Sequence, residues 1–148
     1  VTSRTAHGLP SGASFSREAW LEILILDESG NILYESGKVE NSEDLNLMDL
    51  DLLLFTTILR DENNNEVNTI TKTHVMDNNI LPAFQSRYHG YGLTLDDNIS
   101  GSVFINVRML FRAFKPYLLE TEYLDLLQNL PIFEISSIKD TVHVRSSQ

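Results

Sequence analysis

His7 is the residue of this chain best placed to do chemistry. It stands in the stretch TAHGLPSG, residues 5–12, with two glycines and a proline among the five positions that follow it. An imidazole on such a loop could be a ligand of a metal or of haem iron, a catalytic base, or a plain surface turn residue. Gly8 has no Cβ, so a bulky planar group could approach the backbone beside His7. Pro10 stiffens the segment and Gly12 lets it reverse before the strand that follows. A loop of this kind presents its imidazole outward with little conformational entropy left to lose. Neutral imidazole is the usual nitrogen ligand of haem iron, which makes His7 a candidate axial donor.

The other reactive types form no persuasive constellation. His74, His89 and His143 lack the helical i, i+4 pairing or the close His/Asp/Glu spacing that marks metal sites. His89, in RYHGYG, reads as a packing residue. DENNNE places Asp61, Asn63 and Asn65 at positions 1, 3 and 5 of a calcium loop, but Glu66 occupies the place of the required glycine and Lys72 that of the bidentate glutamate. A turn is expected there. GLPSG imitates the hydrolase elbow Gly-x-Ser-x-Gly, yet its centre is Pro10 and the serine is displaced to Ser11. With no nucleophile, carboxylate pair or metal cluster at workable spacing, the chain is not expected to be an enzyme.

Composition narrows the partners. The 148 residues suit a single domain spanning 1–148, and 21 acidic against 11 basic residues give a formal charge of −10. Nucleic acid is a poor partner for such a surface, because phosphate binding depends on clustered cations. Basic or neutral partners fit better. No apolar run reaches the length of a membrane helix, so the chain is not expected to span a membrane. No basic segment precedes an apolar stretch at the start, so no signal peptide is expected, and VTSRTA reads as entering mid-element, like the tail of something longer. Cysteine is absent, which excludes disulfides, thiolate metal sites and covalent haem attachment through Cys-x-x-Cys-His.

The elements that would carry His7 are mostly strands. After an N-terminal loop over 1–18, AWLEILIL is apolar on both sides, as in a central strand, and DESGN turns it into ILYESG as a hairpin. Residues 40–51 hold five carboxylates and no cation, and read as a solvated connection whose few leucines tuck under the sheet. LDLLLFTTILRD is the next strand, EVNTITKTHV a weaker one, and SRYHGYGLTL a strand with two glycines marking a bulge. In SVFINVRMLFR, Val103, Ile105, Val107, Met109 and Phe111 fall on one face. From Pro116 the period becomes helical, predicting a helix over 116–130 packed on the sheets and stopped by Pro131. IFEISSIKDTVHV rejoins the sheet as the last strand. About seven strands with one short helix near the C-terminus predict a mainly β, immunoglobulin-like or fibronectin-like β-sandwich.

AHGLPSG followed by REAWLEILILDESGNILYESG, with DNNILPAFQSRYHGYGL, GSVFINVRMLFRAFKPYLLE and LQNLPIFEIS further on, resembles the C-terminal β-rich region of multihaem c-type cytochromes across nearly the whole chain. In that family the histidine of this loop is similar in position to a distal axial ligand of a haem held by a preceding Cys-x-x-Cys-His region. The resemblance therefore implies that role for His7 toward haem iron, with Pro10 and Gly12 shaping its loop. This chain departs from the family in having no cysteine, so any haem c contact would be supplied by an upstream domain or a partner chain. The resemblance implies a non-catalytic accessory domain or subunit of a multihaem electron-transfer assembly, periplasmic or extracellular. A different reading is an extracellular immunoglobulin-like interaction module with no redox role, self-assembling through exposed strand edges.

Overall fold

The computed structural model describes residues 1–97, 99–120 and 123–145. In chain order its strands are β1 (Glu18–Leu26), β2 (Ile32–Ser36), β3 (Leu54–Phe55), β4 (Thr57–Arg60), β5 (Glu66–Val67), β6 (Val75–Asn78), β7 (Gly101–Arg112) and β8 (Phe133–Val144). One short α-helix, α1 (Leu124–Gln128), precedes the last strand. The strands make two antiparallel sheets, five strands with the order β2-β1-β7-β8 plus β3 on β1, and three with the order β5-β4-β6. The mainly β, two-sheet architecture with a late helix is the one expected, with eight strands in place of about seven.

β1 carries apolar residues on both faces because it lies inside the larger sheet. β7 pairs with it from Glu18↔Arg112 to Leu26↔Phe104, while β2 and β3 share its other edge. The pleat sends Ala19 to one face, where it packs with Phe55, Leu81 and Met109, and Trp20 to the other, with Leu45 and Leu110. Burial of each large apolar side chain in these clusters stabilises the fold by about 1.5–3 kcal/mol. The Trp20 indole N–H, buried with its ring, donates to the Gly37 carbonyl at 2.8 Å. The acidic segment 40–51 supplies Leu45 to this layer, but Leu47 and Leu50 stand in solvent, so only one of its leucines is fully buried.

Four segments differ from expectation. EVNTITKTHV is not one strand: β5 holds Glu66–Val67, a 3₁₀ turn follows at Ile70–Lys72, and β6 begins at Val75. LDLLLFTTILRD is not one strand: β3 belongs to the larger sheet and β4 to the smaller, and the chain crosses at Thr56. That buried hydroxyl donates to the Arg17 carbonyl at 2.7 Å and ties the crossing to the N-terminal loop. SRYHGYGLTL forms no strand, only a bridge between Ser86 and Thr2. Its glycines, Gly90 and Gly92, have open space where a side chain would pack, and Tyr88 is exposed, so little packing holds the segment in a ladder. The helix expected over 116–130 is reduced to a 3₁₀ turn, Pro116–Leu118, and to α1, with Thr121 and Glu122 outside the described residues. Leu119 and Leu130 are buried whereas Leu124 and Leu126 are exposed, so no continuous apolar stripe supports a longer helix.

Candidate functional site

The N-terminal loop is fastened at both ends to residues 81–87. Val1 and Arg87 exchange backbone hydrogen bonds of 2.9 Å, Ser3 N–H donates to the Gln85 carbonyl at 2.9 Å, and Leu9 and Leu81 exchange two of 2.8 Å. His7 lies in the stretch between these ties, exposed, and among the described residues its imidazole makes no hydrogen bond. Its carbonyl accepts from the Thr5 hydroxyl at 2.7 Å. Pro10 is fully buried and so acts on the loop from inside. Gly12 has φ +71°, the left-handed region that favours glycine, and the Arg17 guanidinium beside it donates to the Ser11 carbonyl at 2.6 Å. A Cβ at Gly8 would stand 2.7 Å from Ile80 Cδ1, so the Ile80 side chain packs where a side chain at position 8 would lie.

The fold does not gather the histidines. The His143 imidazole lies 3.3 Å from the Ser102 hydroxyl, and the exposed His89 packs edge-on against Tyr91 at 4.6 Å between ring centroids. Among the described residues no three His, Cys, Asp or Glu side chains are grouped to hold a metal ion. Asp61 is a turn residue: its carboxylate accepts from the Asn65 side-chain amide at 3.1 Å and from the backbone N–H groups of Asn65 and Asn63 at 2.9 Å each, and these bonds, the Asn65 side chain first, hold it below the usual carboxylate range. In the acidic segment, the Asp49 carboxylate accepts from Ser36 Oγ and Gly37 N, and Asp51 accepts from the Tyr34 hydroxyl at 2.6 Å. Tyr91, near both carboxylates, is pushed up to about 12, first by burial and then by Asp51 and Asp49.

Sequence inspection did not single out the buried charges. Arg112 is wholly buried, donates through Nε to Glu18, and through Nη1 to the carbonyl of Glu43 at 2.6 Å, with its plane over Trp20. Its Nη2 has no hydrogen-bond partner among the described residues. Burial raises the Glu18 pKa, and the attraction of Arg112 opposes that rise. Lys115, also buried, is held below the ordinary lysine value mainly by desolvation. The signal available in the sequence was weak: Glu18 and Arg112 flank apolar runs at strand ends, where a charge is ordinarily solvated.

No protein-family model matches the chain, and no curated protein matches it. Among solved structures the chain is similar to a penta-heme cytochrome c552 from Thermochromatium tepidum, with a TM-score of 0.70 and 20% identity over 95% of this chain and 34% of that chain. At this identity the likeness is one of fold, and the chain spans about a third of the length of the cytochrome it matches. The chain has no cysteine, so it forms no thioether bond to haem. Among the described residues no helix is long and apolar enough to cross a membrane.

Proposed function

We propose that this chain is a non-catalytic β module of a multihaem c-type cytochrome assembly outside the cytoplasm, packing against a haem-bearing module of the same polypeptide or of a partner and presenting His7 to a haem iron. The observation that carries this reading is the likeness of fold to a third of a penta-heme cytochrome over nearly the whole of a chain that cannot attach haem itself. The exposed imidazole between two pairs of backbone ties supports the role of His7, since an axial donor must reach outward from a held backbone. An imidazole ligand and a low-dielectric cover both tune haem potential, and the net charge of −10 would orient docking with basic redox partners.

The reading is tested by purifying the tagged chain from its native host and staining for haem. A haem-stained partner with a low-spin bis-histidine spectrum is expected, and His7→Ala should remove one low-spin signal while the partner still co-purifies. A colourless preparation overturns the assembly; an unchanged spectrum in His7→Ala overturns the ligand role.

One observation favours a second reading, an extracellular interaction module without redox work. β8 is a twelve-residue edge strand, exposed along nearly its whole length, with Phe133, Ile135, Ile138 and Val142 in solvent. Long apolar edges of this kind template pairing with other chains.

A further inference from the structure

A cleft of about 600 Å³ opens where the chain passes from the larger sheet to the smaller one. Apolar side chains supply part of its wall: Leu54 comes from β3, Ile58 from β4, Val67 from β5, and Leu45 from the acidic segment. Lys115 lies on its wall, nine-tenths buried, with its ammonium 5.9 Å from the centroid of the Tyr117 ring. Three N–H donors on that ammonium find one acceptor among the described residues, the Thr57 carbonyl at 3.5 Å, and Lys115 makes no ion pair among them. A buried ammonium left this short of acceptors is costly unless something else supplies them.

The charge balance says what that is. Glu18, which also lines the cleft, is paired with Arg112, and the buried Glu22 with Arg108, which leaves Lys115 as the buried charged side chain without an ion-pair partner among the described residues. Asp44 and Glu66 also line the cleft and attract the Lys115 ammonium, as Glu18 does, but Asp44, Glu66 and the nearby Lys72 are exposed, where solvent screens them. We propose that the cleft binds a small amphipathic carboxylate, its apolar body against Leu45, Leu54, Ile58 and Val67 and its carboxylate on the Lys115 ammonium. This site is independent of His7 and of any haem partner.

The proposal is tested by titrating the chain with octanoate, 1-octanol and octylamine and following backbone amide resonances by NMR. Octanoate should shift the resonances around Val67 and Lys115 with an affinity at least tenfold above that of 1-octanol, and octylamine should bind no better than the alcohol. Lys115→Met should erase the preference for the acid, while Lys72→Met retains it. Val67→Trp, which fills the cleft from a two-residue edge strand, should abolish the shifts and serves if Lys115→Met does not fold. Equal affinity for octanoate and 1-octanol, a preference that survives Lys115→Met or is lost in Lys72→Met, shifts that persist in Val67→Trp, or no shifts with any of the three would overturn it.

Discussion

Arg112 and Glu18 show what a buried ion pair asks of its neighbours. Each is nearly or fully inaccessible, and each would be expensive alone in the interior. Arg112→Met leaves the Glu18 carboxylate buried without its cation and is expected to lower stability by about 3–5 kcal/mol. The pH dependence has a definite sign. Burial already raises the Glu18 pKa above the unfolded value of 4.5, and loss of Arg112 removes the main opposing attraction, so the folded variant holds a proton that the unfolded chain releases. The stability of Arg112→Met should therefore rise as pH falls through the folded pKa of Glu18, levelling off below 4.5. Replacing both residues with methionine should recover most of the loss. Urea unfolding of the two single variants and the double variant, across pH 4 to 8, checks both statements. None of this was legible beforehand, because pairing between residues 94 positions apart depends on the antiparallel register of β1 on β7.

The hairpin of β1 and β2 was readable from its turn residues and its alternation, and so were β7 and β8; what its two glycines, Gly30 and Gly37, meet in the fold was not. Gly37 has φ +68° and sits against the β1 backbone, where a Cβ would run into the Leu21 carbonyl oxygen. Gly30, in the turn, has φ +84° but nothing within 4 Å of that position. Both glycines carry the left-handed penalty of about 1–2 kcal/mol for any other residue, and only Gly37 adds a backbone collision. Gly37→Ala is thus expected to destabilise clearly more than Gly30→Ala and to disturb the Trp20 to Gly37 hydrogen bond. Thermal melts followed by the fluorescence of Trp20 measure both effects, and equal losses at the two positions would contradict the account. Two of the elements that sequence reasoning misjudged, the split of β3 from β4 and the 86–95 segment that forms no strand, share one cause. Their apolar or β-branched residues satisfy local preference in several arrangements, and long-range partners choose among them.

For the molecule as a whole, an exposed edge strand sits on a strongly acidic body. Charge of one sign opposes association at low salt, so β8 pairing between copies should grow as ionic strength rises, whereas docking to a basic partner should weaken. Sedimentation from 20 to 500 mM salt separates the two tendencies, and Ile138→Lys should suppress the first with little change in stability, because Ile138 is already exposed. A monomer at every salt concentration would remove the edge-pairing reading. Composition and periodicity alone were enough for the all-strand character, the late helical turn and the absence of a haem attachment site, since these follow from residue type and from neighbours a few positions apart. Which strands share a sheet, that Ile80 packs beside Gly8, and that Lys115 closes one wall of a cleft all arise from contacts between distant parts of the chain. Burial and charge compensation are properties of that three-dimensional neighbourhood, which no local run of residues encodes.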